Sequence, residues 1–222
     1  MLDRRAKRQA VFLPENEPYL GRPSVYNFDR VIPSCLRANQ AVMVYVRQGQ
    51  LSDLQSAASQ LISQGINLAL SIRELVRQGY LFGALVLLRP LIERTAIVSY
   101  LYTNPDEIAT WNAGWPSGRR PSLARMIDTM TGQADLAEAK KLCETFGHIV
   151  HGDPASATWN LVQLPDGALG HAVSKSLDEP DLCDFICYQA CSYCIVLMGN
   201  MAACFPDAPW PDATRAAAME DR

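Results

Sequence analysis

One periodic segment constrains the fold of this chain more than any other feature. Its small and apolar residues repeat at alternating spacings of four and three, at Leu54, Ala58, Leu61, Gly65, Leu68, Ile72 and Leu75. Residues at these spacings share one face of an α-helix, as in antiparallel bundles. Ser52 is a suitable N-cap, and Gly79 follows as a stop signal. The segment therefore predicts a long packed helix, in which Ala58 and Gly65 allow a neighbouring helix to approach closely.

Most of the remaining chain also has helical periodicity. The predicted helices cover about 34–49, 52–79, 80–103, 104–114, 122–131, 134–150 and 179–204. The third is apolar on every face, which indicates that other helices surround it. Between residues 158 and 174, apolar residues instead alternate around Pro165-Asp166-Gly167, which is a turn signal. We therefore expect an all-α helical bundle of about six to seven helices with a small β-hairpin insertion near 158–174.

The length of the chain favours one domain. It has 222 residues, of which 49% are hydrophobic, and this is enough to bury one sizeable core. We predict an extended N-terminal arm over residues 1–33, a single helical-bundle domain over 34–205 and a C-terminal tail over 206–222. The arm contains four prolines and the basic cluster Arg4-Arg5-Ala6-Lys7-Arg8. A solvated terminus is favoured for this cluster over a phosphate-binding arm.

Charge is distributed unevenly along the chain. Residues 1–130 hold 15 Lys and Arg against 10 Asp and Glu, whereas residues 131–222 hold 5 against 13. The formal net charge is −3. Proteins that bind nucleic acid without specificity are usually basic overall. The balance therefore argues against that role, except through a local basic patch.

The seven cysteines predict free thiols rather than disulfides or a metal site. Their number is odd and no apolar signal sequence precedes them, so we expect a cytoplasmic protein. Four of them, at 183, 187, 191 and 194, share one helix face, and the last three match the Cys-x3-Cys-x-aromatic-Cys pattern of radical SAM enzymes. One helix face cannot surround a tetrahedral metal ion, however. We therefore expect buried thiols, with no metal and no cofactor.

The last predicted helix has the length of a membrane span. Residues 185–205 form a run of 21 residues without a charge. The run contains Gln189, Ser192 and Asn200, and no Lys or Arg anchors its flanks. We therefore expect a core helix, and no contact with a membrane.

Arg89 and Glu93 lie in the most apolar predicted helix. They are one helical turn apart, and an unpaired buried charge is strongly destabilising, so each needs a partner. Pro90 lies between them and removes a backbone donor, which leaves the Val86 carbonyl without its helical partner. The pair is either a structural ion pair at the bundle centre or the floor of a polar site.

A second polar set lies on the helix predicted to end near residue 150. Lys141, Glu144, His148 and His151 are spaced 3-4-3, so they form one stripe on that helix. The stripe is either a solvated helix face or a functional cluster. Arg119 and Arg120, in the loop predicted at 115–121, are candidate nucleic-acid contacts.

The order of these parts resembles a group of bacterial helical domains of unknown function. The resemblance covers roughly residues 50–200 and rests on two motifs, Leu88-Arg89-Pro90-Leu91-Ile92-Glu93 and Phe146-Gly147-His148-Ile149-Val150-His151-Gly152-Asp153. Those domains are in turn similar to the HEPN superfamily. That likeness implies a bundle that often dimerises and, in many members, a metal-independent ribonuclease of toxin and antiviral systems. In its signature an Arg precedes a His by four to six intervening residues; the Arg steadies the scissile phosphate and the His transfers a proton at the ribose 2′-OH.

This sequence departs from that signature. Lys141 is the only cation five to seven positions before either histidine, and an ammonium group does not replace a bidentate guanidinium well. Arg89 could supply the guanidinium from the neighbouring helix. We therefore carry two hypotheses and leave open whether the protein is an enzyme.

The first hypothesis is a HEPN-like domain of a bacterial defence or toxin-like system. In it, the domain acts as a homodimeric interaction or RNA-binding module with an RNA or protein partner. The second is a metal-independent ribonuclease, in which His151 transfers the proton and Arg89 or Lys141 contacts the phosphate. His148 and Glu93 would orient these groups.

Overall fold

The computed structural model of the chain describes residues 17–130, 136–151, 153, 154, 157, 161–164, 166–171 and 179–210. Within these residues it confirms the predicted all-α bundle. The helices are α1 (Pro23–Gln48), α2 (Asp53–Gln78), α3 (Leu81–Thr103), α4 (Ile108–Asn112), α5 (Leu123–Ile127), α6 (Leu136–His151) and α7 (Pro180–Cys204). A 3-10 helix, Pro105–Glu107, precedes α4.

Helix α2 begins and ends as its sequence predicts. The Ser52 hydroxyl accepts a hydrogen bond from the Gln55 backbone N–H at 3.2 Å, and the Gln55 side chain accepts one from the Ser52 N–H at 3.1 Å. This reciprocal pair is a capping box. Gly79 ends the helix at φ 78°, a left-handed conformation that glycine adopts without a steric penalty.

Helix α1 begins at Pro23 and not near Ser34, so the predicted arm over residues 1–33 is too long. Proline is favoured in the first turn because the N–H it lacks would have no intrahelical partner there. Val25, Phe28 and Ile32 are buried and supply an apolar helix face within the supposed arm. The basic cluster at 4–8 and the tail from residue 211 lie outside the described residues.

Helix α3 lies in the centre of the bundle, as its apolar composition predicts. It packs against α2, α5, α6 and α7, and its Leu85, Leu88 and Ile92 side chains are fully buried. The close approach predicted at Gly65 also occurs. A Cβ added to Gly65 would lie 2.9 Å from Leu197 Cδ2 of α7, so the missing side chain makes room for that leucine.

Helix α7 packs against α1, α2 and α3. Among the described residues it is the one helix that is long and apolar enough to cross a membrane, and 39% of its most apolar window is buried. The six cysteines that the structure describes are free, and four of those on α7 are buried. Burial raises the pKa of the Cys204 thiol to about 12.

The predicted β-hairpin is present between α6 and α7. Strand β1 (Leu161–Gln163) pairs antiparallel with β2 (Leu169–His171), and Leu161 lies opposite His171. Gly167 takes a φ of 82° in the turn that joins them. The hairpin forms the one sheet in the part of the chain that the structure describes.

Candidate functional site

An open cleft of about 450 Å³ lies where α3, α5 and α6 meet. Its polar side includes Arg89, Lys140, Glu144, His148 and His151, together with Gly147. Leu123 and Ala124 of α5 supply an apolar edge. The structure therefore brings three of the predicted site residues, Arg89, His148 and His151, to one solvent-accessible place, although they come from two different helices.

Arg89 and Glu93 form the predicted ion pair. Arg89 Nε donates to Glu93 Oε1 at 3.2 Å, and the two side chains are 22% and 19% exposed. Arg89 lines the cleft, whereas Glu93 is not among the cleft-lining residues. The pair is therefore not sealed in the core, and Glu93 is placed to orient the arginine rather than to contact a ligand.

Glu93 also faces two further guanidinium groups. Its second oxygen, Oε2, lies 3.9 Å from Arg94 Nη1 and 3.9 Å from Arg120 Nη2. One carboxylate thus neutralises only part of the charge of three arginines. Of these three arginines only Arg89 lines the cleft, where the other charged groups are Lys140, Glu144 and Asp153, together with the two histidines.

Lys140 lines the cleft, and Lys141 does not. The stripe that faces the cleft runs through 140, 144, 148 and 151, and a role for Lys141 stays a prediction. Lys140 Nζ lies 3.1 Å from Asp128 Oδ1, whereas Lys141 is exposed. The signal for Lys140 was its position four residues before Glu144, one helical turn away on the same face.

His148 is held by a residue just beyond the end of α6. Its Nδ1 lies 3.1 Å from Asp153 Oδ2, and the Asp153 backbone N–H donates to the His148 carbonyl at 3.0 Å. A carboxylate on one ring nitrogen fixes the orientation of an imidazole and leaves the other nitrogen available. Sequence reasoning missed Asp153 as a site residue, since it lies outside the helix that defined the stripe.

Gly147 is a second cleft residue for which the sequence predicts no role, although it lies in the motif at 146–153. A Cβ at this position would lie 2.7 Å from Arg89 Nη1. The Arg89 guanidinium therefore lies directly against the backbone of α6. No motif on either helix predicts this contact, because it depends on how α3 and α6 pack.

Arg119 and Arg120 are not among the residues that line the cleft. The Arg120 guanidinium carbon is 5.7 Å from the centroid of the Trp115 ring, a cation–π distance. Trp115 takes a positive φ of 47° in this loop. Arg119 is exposed, and its backbone N–H donates to the Pro116 carbonyl at 2.9 Å.

Metal chemistry has no candidate ligand set in the part of the chain that the structure describes. No group of three or more His, Cys, Asp or Glu side chains there is placed to hold a metal ion. The cleft instead combines a guanidinium, an ammonium and two imidazoles with the carboxylates of Glu144 and Asp153. Of these, the cationic groups can bind an anion and the imidazoles can exchange protons with it.

One comparison with known proteins gives a match. A family model described as a family of unknown function, DUF5677, matches residues 55–144. The match runs from α2 into α6 and includes Arg89, Glu93 and Lys140, and it ends before His148 and His151. No curated protein and no solved structure matches the chain. Over these residues the chain is thus similar to a family of unknown function, as the sequence predicts. The further likeness to the HEPN superfamily stays a prediction.

Proposed function

We propose that the chain is a HEPN-like helical domain that binds RNA, and that the cleft between α3, α5 and α6 contacts the RNA phosphates. The observation that carries this proposal is that Arg89, His148 and His151 line one open cleft. A guanidinium presents paired N–H donors that match phosphate oxygens. The partner expected from the sequence, RNA, has this phosphate chemistry at every nucleotide.

The local charge around the cleft supports the same proposal. Although the chain as a whole is acidic, three arginines, Arg89, Arg94 and Arg120, lie around the Glu93 carboxylate, and Arg89 lines the cleft. Phosphate contacts of this kind supply most of the affinity of sequence-independent binding. A small basic patch of this kind suits a domain that binds a short stretch of RNA, and not one that binds along a long duplex.

Binding is tested by fluorescence anisotropy with a labelled single-stranded RNA at several KCl concentrations. We expect Arg89→Ala to weaken binding and to reduce the slope of log K against log salt by about 0.7, the value for one phosphate contact on a single strand. Arg37→Ala is the matched control, because Arg37 is an exposed arginine of α1 that does not line the cleft. If the wild-type protein fails to bind RNA at low salt, or if both variants behave alike, the proposal is wrong.

RNA cleavage is a second candidate function, which the two histidines in the cleft favour. In the proposed step the ribose 2′-OH attacks the adjacent phosphorus, and the bond to the 5′-oxygen of the next nucleotide breaks. His151 takes the 2′-OH proton, and a protonated group returns a proton to the leaving 5′-oxygen. The products are a 2′,3′-cyclic phosphate and a 5′-hydroxyl, and Arg89 stabilises the phosphorane charge.

Cleavage is tested by incubating end-labelled RNA with the protein in EDTA and, separately, in Mg²⁺. We expect fragments with wild-type protein in both buffers and intact RNA with His151→Ala, whose circular dichroism spectrum should match the wild type. His171→Ala, in strand β2 outside the cleft, is the matched control and should cleave normally. RNA that stays intact with the wild-type protein in both buffers excludes this candidate and leaves the binding proposal standing.

The setting of this activity follows from the resemblance. We propose a bacterial defence or toxin-like system, a cytoplasmic location and a homodimeric state. The exposed apolar side chains of Tyr188 and Ile195, which lie seven residues apart on α7, support a dimer through that helix. An RNA or a protein is the expected partner.

A further inference from the structure

Arg89 lies against Gly147 where the two helices that bound the polar side of the cleft meet. A Cβ added to Gly147 would lie 2.7 Å from Arg89 Nη1 and 3.9 Å from Arg89 Cζ. Non-bonded carbon and nitrogen atoms do not pack at the shorter distance without repulsion. The guanidinium thus occupies the volume that any side chain at position 147 would need.

Glu93 holds the opposite part of the same guanidinium. Its Oε1 accepts from Arg89 Nε at 3.2 Å, while Nη1 lies against Gly147. A guanidinium is planar, and its donors form a rigid fork. Contacts at Nε and at Nη1 therefore fix the direction in which its remaining N–H groups point.

We infer that Gly147 and Glu93 are positioning residues that set the Arg89 guanidinium beside the histidines of α6. The inference rests on the proposed function, because it identifies how the phosphate-binding cation of that cleft is placed. The cation then comes from α3, the helix next to the one that carries His148 and His151. Any residue larger than glycine at 147 displaces it from the cleft.

This role can be separated from folding. The atom that a new methyl group would meet is the far end of a flexible side chain and not backbone. Alanine also stabilises helices more than glycine does. Gly147→Ala is therefore expected to fold and to move the guanidinium. Gly199, on α7, is the matched control, because no atom lies within 4 Å of a Cβ added there.

The first test is spectroscopic and needs no RNA. In a ¹H–¹⁵N correlation spectrum of the arginine side chains, the Arg89 Nε–H signal is identified by its loss in Arg89→Ala. We expect Gly147→Ala and Glu93→Gln each to shift or broaden this signal, and Gly199→Ala to leave it unchanged. An unchanged Arg89 signal in Gly147→Ala overturns the inference, whatever the RNA measurements give.

The second test is RNA affinity by anisotropy, with circular dichroism as the check on folding. We expect Gly147→Ala to weaken binding as much as Arg89→Ala does, and the double variant to bind no more weakly than Arg89→Ala alone. If the fold-loss of RNA affinity in the double variant is the product of the fold-losses in the two single variants, Gly147 acts independently of Arg89 and the inference is wrong. If wild-type protein binds no RNA while the Arg89 signal still shifts, the proposed function fails and the positioning of Arg89 by Gly147 is supported.

Discussion

At the residue scale, an ion pair between Arg22 and Asp184 joins the start of α1 to the start of α7. Arg22 Nε donates to Asp184 Oδ1 at 2.8 Å. Arg22 Nη2 and the Ser24 hydroxyl also donate to this carboxylate. The hydrogen bonds from Arg22 lower the pKa of Asp184 from 3.8 to about 2. Because the folded carboxyl has the lower pKa, the contact stabilises the fold fully above pH 3.8 and progressively less as the pH falls towards 2.

Asp184→Asn is expected to lower the free energy of unfolding at pH 7 by about 1 kcal/mol, since a partly exposed ion pair seldom contributes more. The variant should also lose less stability than wild type as the pH falls from 3.8 to 2. Urea denaturation at a series of pH values measures both effects. Asp207→Asn, at an exposed carboxylate, should keep the wild-type dependence. An Asp184→Asn protein with the wild-type acid profile would show that the pairing contributes nothing.

Sequence reasoning succeeded at this scale where partners lie one helical turn apart. Arg89 and Glu93 were expected to pair either with each other or with groups of adjacent helices, and they pair with each other at 3.2 Å. Gly147 could not be recognised in the same way. Its importance comes from a residue on another helix, and the spacing of residues along α6 contains no information about that contact.

At the scale of elements, helix boundaries were predictable where a capping signal marks them. Ser52 and Gly79 bound α2 because their side-chain and backbone conformations satisfy the unpaired groups at its ends. The start of α1 is harder to predict because Pro23 and Pro33 indicate extended chain, although proline is compatible with a first turn. The predicted stripe shares Glu144, His148 and His151 with the stripe that lines the cleft, and spacing along α6 does not distinguish Lys141 from Lys140 as its first member.

The crossing of α2 with α7 depends on the absence of a side chain at Gly65. Gly65→Ala should lower the free energy of unfolding by about 1 kcal/mol, because overpacking against the buried Leu197 outweighs the gain in helix propensity. Thermal or urea unfolding gives the value. Gly199→Ala, where the added Cβ meets no atom, should be neutral or slightly stabilising.

A double variant tests the mechanism of that loss. In a Leu197→Ala background the leucine methyl groups are absent, so Gly65→Ala should no longer destabilise the protein. A cost that is the same in both backgrounds would mean that Leu197 is not the cause.

The whole molecule is a helical bundle whose class was predictable from periodicity and composition. The apolar faces of α2 and α3 require neighbouring helices to cover them. Helix α3 packs against α2, α5, α6 and α7, which satisfies that requirement. The location of the cleft was less predictable, because it depends on the relative placement of α3, α5 and α6. Four of its polar residues, Arg89, Glu144, His148 and His151, are nevertheless conspicuous in the sequence. Arg89 is a charge in an apolar helix, and the other three share one polar stripe of α6.

The proposed homodimer is a prediction at this scale. Light scattering at micromolar concentration should give about twice the chain mass of 24.5 kDa. Ile195→Glu should shift the protein towards monomer, because it places a charge on the exposed apolar face of α7. Leu20→Glu, at an exposed leucine outside α7, should leave the dimer intact. A wild-type protein with the mass of one chain would rule out the dimer.

The central claim is that the cleft between α3, α5 and α6 is where RNA binds. A titration of ¹⁵N-labelled protein with a short single-stranded RNA, followed by ¹H–¹⁵N correlation spectra, tests it most directly. We predict that the largest shift changes fall on the Arg89 side-chain signal and on the backbone amides of Gly147, His148 and His151. Changes confined to residues outside the cleft, or no changes at a saturating RNA concentration, would contradict the claim.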